Sequence, residues 1–100
     1  MKIYSVGSTI HVSEVNELNA TNAPAMRDNV RAALKPETTG LELDLSDAKF
    51  IDSSGLGALI ALQKTMAMRH GVLRIVNPTS TVVQVLELTR LHRVLEIVRN

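Results

Sequence analysis

Apolar and polar residues nearly alternate in the first fifteen positions of the chain, as they do in strands with one buried face. The alternation predicts two strands, Lys2–Val6 and Ile10–Val15, and Gly7 and Ser8 between them predict a hairpin turn. Later in the chain, strict alternation and β-branched runs predict further strands. These lie at Leu41–Leu45, at Val72–Val76 and, as a short strand or the tail of a helix, at Val94–Val98.

Apolar residues that recur every three or four positions predict three helices between these strands. The first helix has Pro24 in its first turn, where proline is tolerated, and is expected to end at Lys35, before Pro36. The third helix is expected to be capped by Thr79 or Ser80, whose hydroxyl oxygen accepts a free N–H at a helix start.

The second helix, Ser53–Arg69, has the longest apolar face, and Gly71 stands where a left-handed cap is expected.

Strands that alternate with helices after an opening hairpin predict an α/β fold. In this fold a mixed β-sheet has helices packed mainly on one side. One hundred residues are the length of one domain, so residues 1–100 are expected to form a single domain.

The composition of the chain argues against several kinds of partner and binding site. A formal charge of +1, dispersed basic residues and only two aromatic residues, Tyr4 and Phe50, argue against nucleic acid. The absence of cysteine excludes disulfides and thiolate metal sites and permits a cytoplasmic location. No apolar run approaches about 18 residues and no export signal is visible, so no membrane association is expected. The widely spaced histidines, His11, His70 and His92, predict no metal site.

Small, polar and glycine residues converge at one junction between a strand and a helix, in the run Asp52-Ser53-Ser54-Gly55-Leu56-Gly57. A helix start carries about four unpaired N–H groups and roughly half a positive charge, so Asp52 or Ser53 can cap it. An attached phosphate is tolerated there for the same reason. Taken alone, the run is better explained as an N-cap worth about 1 kcal/mol.

Enzymatic interpretations of this run have little support. The residues around Ser53 and Ser54 do not form a Gly-x-Ser-x-Gly elbow, and no histidine is assignable as a base. Gly55 and Gly57 lack the third glycine of a dinucleotide site, and no phosphate-binding loop ending in Gly-Lys-Ser/Thr occurs. We therefore expect no acyl transfer, no nucleotide hydrolysis and no cofactor.

The chain resembles a STAS domain, and within that family a bacterial anti-sigma factor antagonist. The resemblance covers nearly the whole chain. It rests on the strand Leu41–Leu45, on the run from Phe50 to Leu59, on Leu73–Val76 and on Val85–Leu91. It implies the STAS fold.

The resemblance also implies a phosphorylation-switched binding module, with no catalysis by this chain. In this family the serine after the aspartate is the phosphate acceptor, which corresponds to Ser53. When dephosphorylated, such a protein binds an ATP-binding anti-sigma factor serine kinase and releases a sigma factor. When phosphorylated it dissociates, and a serine phosphatase resets it. The residues implied around the phosphorylation site are Asn19, Asp52, Ser54, Gly55, Leu56 and Gly57.

Asn19 departs from the family pattern, because Asn16–Asn19 stands where Gly-x-Leu-Asp is usual. A neutral amide repels phosphate less than a carboxylate does and binds a metal ion more weakly. An ordinary turn residue is an equally good explanation of Asn19.

The partner and the output are less determined than the fold. Lys49, Lys64 and Arg69 are candidates for steering an acidic partner surface, although dispersed charges are commonly just solvated. The alternative to sigma-factor control is a STAS regulator of another output, such as secretion, a diguanylate cyclase or lipid transport.

Overall fold

The computed structural model describes residues 1–100 as a five-stranded sheet with three α-helices and one 3₁₀ helix. In chain order the elements are β1 (Lys2–Val6), β2 (Thr9–Ser13), α1 (Ala23–Ala33), β3 (Gly40–Asp44), α2 (Ser53–Met68), β4 (Val72–Val76), α3 (Ser80–Leu88), the 3₁₀ helix (Leu91–Arg93) and β5 (Glu96–Val98). The strands lie side by side in this order. Strand β1 is antiparallel to β2 and every other pair is parallel, so the predicted mixed sheet is confirmed.

The opening hairpin turns where its residues predict. Val6 lies opposite Thr9, and Gly7 between them has a φ of +59°, the conformation that glycine adopts without strain. Strand β2 ends two residues earlier than expected, at Ser13, because Glu14 takes a φ of +58° and interrupts the extended backbone.

The core lies on one face of the sheet. Every second residue of the three central strands is buried there, namely Ile10, Val12, Leu41, Leu43, Leu73 and Ile75. Side chains from all three α-helices join them in a single hydrophobic cluster, among them Met26, Val30, Leu59, Leu62, Val82 and Leu86. The predicted packing of helices on one side of the sheet is therefore confirmed. None of the helices is both long and apolar enough to cross a membrane.

The opposite face of the sheet carries a polar row across all five strands, formed by Tyr4, His11, Glu42, Arg74 and Glu96. Glu42 lies 3.6 Å from the His11 ring and 3.8 Å from the Arg74 guanidinium, and Arg74 lies 3.7 Å from Glu96. Tyr4 stacks on the His11 ring with 5.2 Å between centroids. In this row the guanidinium of Arg74 lies between the carboxylates of Glu42 and Glu96.

Helix α2 ends in a Schellman motif. The left-handed residue is His70, with a φ of +58°, so the prediction of a left-handed Gly71 is wrong by one position. The N–H of Gly71 donates to the Met66 carbonyl at 2.7 Å, and that of His70 donates to Ala67. Glycine is required at 71 for space, because a Cβ there would lie 2.8 Å from the Thr39 carbonyl oxygen.

The remaining boundaries differ little from expectation. Helix α1 ends at Ala33 instead of Lys35, because Leu34 is already extended, with a ψ of 135°. Thr79 is the N-cap of α3, and its hydroxyl oxygen accepts an N–H of the first turn. The segment Val94–Val98 contains a strand, β5, and not a helix tail.

Candidate functional site

The start of α2 is held in place by a short parallel bridge. Leu18 and Ile51, both buried, lie opposite each other. The Leu18 N–H donates to the Phe50 carbonyl, and the Asp52 N–H donates to the Leu18 carbonyl, each at 3.1 Å. The bridge brings the segment after β2, including Asn19, to the start of α2. Sequence reasoning did not find it, although Leu18 is the only large apolar residue of the polar stretch 16–22.

Asp52 is the N-cap of α2. Its backbone is extended, its Oδ1 accepts the Gly55 N–H at 3.0 Å, and its carbonyl accepts the Leu56 N–H at 2.9 Å. These bonds satisfy two of the free N–H groups at the helix start. The N–H groups of Ser53 and Ser54 have no partner within the protein, so they and the positive end of the helix dipole face outward.

The two serines differ in exposure. Ser53, the first residue of α2, is exposed, whereas Ser54 is half-buried. Neither hydroxyl makes a hydrogen bond to another protein group, and no histidine or carboxylate is paired with Ser53 as a base. The site therefore presents one accessible hydroxyl beside unpartnered N–H groups.

The two glycines of the run have different surroundings. A Cβ on Gly55 would lie 2.5 Å from the Leu18 carbonyl oxygen and 2.7 Å from the Ile51 side chain. Gly55 thus lets α2 pack closely on the bridge. Gly57 is exposed, and a Cβ there would meet nothing within 4 Å. Leu56, between them, is partly buried against the core.

Asn19 lies near the start of α2 because the adjacent Leu18 is bridged to Ile51. Its side chain, however, is hydrogen-bonded within the turn that contains it. Its Oδ1 accepts the Thr21 N–H at 2.9 Å, and its N–H donates to Asn22 Oδ1 at 2.9 Å. Its carbonyl accepts the N–H of Ala23, the first residue of α1. These bonds match the interpretation of Asn19 as a turn residue at the entry to α1.

The three candidate steering cations have different roles. The guanidinium of Arg69 donates to the carbonyls of Thr38, at 3.1 Å, and of Lys35. It therefore ties the end of α2 to the loop before β3 and is a structural residue. Lys49 and Lys64 are exposed and form no ion pair within the chain.

The histidines lie apart in the fold. His11 is on the uncovered face of the sheet, His70 follows α2, and the Nδ1 of His92 lies 3.4 Å from the Leu86 carbonyl oxygen. No group of three histidine, aspartate or glutamate side chains is placed to hold a metal ion.

The chain is similar to known proteins in both sequence and structure. The sequence profile of the STAS domain matches residues 2–100. The anti-sigma-B factor antagonist of Bacillus subtilis is 25% identical over 88 residues, which cover 88% of this chain and 80% of that protein. The solution structure of the protein TM1081 of Thermotoga maritima superposes with a TM-score of 0.85 at 28% identity, over 98% of this chain and 79% of that one.

The Bacillus anti-sigma factor antagonist SpoIIAA, in its unphosphorylated form, shares the fold. Its TM-score is 0.73 at 18% identity, over 97% of this chain and 86% of that one. The match of the family profile over nearly the whole length and the similarity of the fold to these solved structures agree. The chain belongs to the STAS domain family.

Proposed function

We propose that this chain is an anti-sigma factor antagonist switched by phosphorylation of Ser53. Dephosphorylated, it binds an anti-sigma factor that is also an ATP-dependent serine kinase, and the sigma factor held by that kinase is released. Phosphorylated, it dissociates from the kinase, and a serine phosphatase restores the binding form.

The observation that carries the proposal is the setting of Ser53. Its hydroxyl is exposed at the first position of α2, beside the unpartnered N–H groups of Ser53 and Ser54. A kinase can reach this hydroxyl without unfolding the helix. The names of the relatives support the same assignment, and SpoIIAA has been solved in both phosphorylated and unphosphorylated forms.

The physical basis of the switch is local charge. Phosphorylation adds about 1.5 to 2 negative charges at pH 7. The free N–H groups and the helix dipole tolerate these charges within the chain. A partner surface packed against Ser53 has no such compensation, so it must desolvate the phosphate or separate. The modification therefore weakens binding while leaving the fold intact.

Covalent catalysis by Ser53 has less support than phosphate acceptance. A serine nucleophile needs a base within hydrogen-bond reach. The Ser53 hydroxyl has no such neighbour, and His70 lies beyond the far end of α2, about 22 Å of helix away. We therefore assign the chemistry of phosphoryl transfer to the kinase and the acceptor role to this chain.

Phosphopeptide mapping tests the proposal. The chain is incubated with the anti-sigma serine kinase of the same organism and ATP, and the phosphorylated residue is located by mass spectrometry. We expect phosphate on Ser53, its loss in Ser53→Ala and its retention in the matched control Ser54→Ala. Phosphate found mainly on Ser54 or Thr65 would refute the assignment.

A further inference from the structure

We propose that an apolar groove beside α2 receives an apolar side chain of the kinase, next to a carboxylate of the kinase that pairs with Lys64. The inference rests on the proposed function and adds to it a second contact area, remote from Ser53. The groove lies between α2 and the stretch formed by the 3₁₀ helix and the two residues that follow it. Its lining residues are Ile60, Gln63, Lys64, Leu91, Val94 and Leu95.

The groove has the size and chemistry of a side-chain pocket. Its volume is about 270 Å³. This volume is far larger than one ordered water needs, so the groove has room for a side chain of a partner. Val94 at its edge is 58% exposed, although its neighbour Leu95 is buried in the core. Apolar surface that continues outward from a core in this way is stabilised when a partner covers it.

The unpaired ammonium group of Lys64 indicates a negatively charged group on the part of the kinase that contacts the groove. It is the only charged residue that lines the groove, it is exposed, and no carboxylate of the chain pairs with it. A partner that places an apolar side chain in the groove therefore brings an unpaired ammonium group to its rim. A carboxylate next to that side chain complements this charge, and an arginine or lysine there is disfavoured.

The groove is continuous with the surface around Ser53. Ser53, Gly57, Ile60 and Lys64 are spaced i, i+4, i+7 and i+11, so they follow one face of α2. At about 1.5 Å per residue, Ser53 and Lys64 lie about 17 Å apart along the helix. A typical interface covers about 800 Å² of each partner, which is a patch about 30 Å across. One kinase molecule can therefore cover Ser53 and the groove together.

Two other exposed areas lack this combination of features. On the uncovered face of the sheet, Glu42, Arg74 and Glu96 each have an oppositely charged neighbour within the chain. Leu88 is 84% exposed on α3, but Gln84 and Glu87 surround it and no apolar wall faces it. Leu88 is consequently a suitable control position, because it is more open to solvent than Val94 and lies outside the proposed contact.

A fluorescent label gives the first test, because the chain has no cysteine and a single introduced thiol is labelled uniquely. Val94→Cys and Leu88→Cys are each labelled with a polarity-sensitive dye, and the kinase is added. We expect the emission of the dye at position 94 to shift to the blue and that at position 88 to stay unchanged. Equal behaviour of the two labels would overturn the inference.

Calorimetric titration with the kinase gives the second test. We expect Val94→Asp and Lys64→Glu each to weaken binding by tenfold or more, and Leu88→Asp to change it less than twofold. Ser53→Asp is measured in parallel. If Ser53→Asp weakens binding but Val94→Asp and Lys64→Glu do not, the groove inference is wrong and the proposed function stands. If the parent chain does not bind the kinase, both are wrong.

Discussion

Gly55 and Gly57 are two residues apart in α2, but the fold requires glycine only at position 55. A methyl group on Gly55 would collide with the Leu18 carbonyl oxygen, which the bridge to Ile51 holds in place. A methyl group on Gly57 would point into open space. The same substitution is therefore expected to have opposite effects at the two positions.

We predict that Gly55→Ala lowers the free energy of unfolding by about 2 kcal/mol, as overpacking against a fixed backbone does. Gly57→Ala is expected to raise it by roughly 0.5 to 1 kcal/mol, since alanine loses less backbone entropy in a helix. Urea denaturation of both variants measures the two values. A stable Gly55→Ala variant would show that the close contact between α2 and the bridge is not rigid.

Asp52 is both a helix cap and the neighbour of the proposed phosphate acceptor, and Asp52→Asn separates these roles. Asparagine caps nearly as well as aspartate, so the free energy of unfolding is expected to fall by well under about 1 kcal/mol. The carboxylate makes no hydrogen bond to the Ser53 hydroxyl in the free chain. If it orients that hydroxyl once the kinase is bound, phosphorylation of Asp52→Asn at saturating kinase slows about tenfold or more. A rate equal to that of the parent chain would leave Asp52 with the capping role alone.

At the scale of the elements, the end of α2 is fastened by one side chain. Arg69 donates to the carbonyls of Thr38 and Lys35, which lie in the loop before β3. We predict that Arg69→Met lowers the free energy of unfolding by about 1 to 2 kcal/mol through loss of these charge-assisted bonds. Thermal and urea unfolding measure the change. Arg31→Met, at an exposed position of α1 without an ion pair, is the control and is expected to change stability by less than about 0.5 kcal/mol.

The elements were predictable wherever the pattern of apolar residues is local. Strand β4 and the start of α2 lie where alternation and helical spacing place them. The errors occur at ends, where backbone conformation decides. Glu14 and His70 adopt positive φ without being glycine, so composition gave no signal for the end of β2 or for the Schellman motif after α2.

Across the molecule, the features that could not be predicted from the sequence are contacts between segments that lie far apart in the chain. The bridge between Leu18 and Ile51 joins residues 33 positions apart, and the groove joins α2 to residues that follow α3. The pattern of apolar residues predicts each helix or strand separately. It does not specify which residues of two elements lie opposite each other. It therefore located the run from Asp52 to Gly57 but not the surface that continues from it to Val94.

We propose that the charge on Ser53 controls binding to the anti-sigma serine kinase. Isothermal titration calorimetry of the kinase with Ser53→Ala and Ser53→Asp tests this control, because both variants remove the hydroxyl and only one adds charge. We expect Ser53→Ala to bind as tightly as the dephosphorylated parent chain and Ser53→Asp to bind at least tenfold more weakly. Equal affinities of the two variants would contradict the switch.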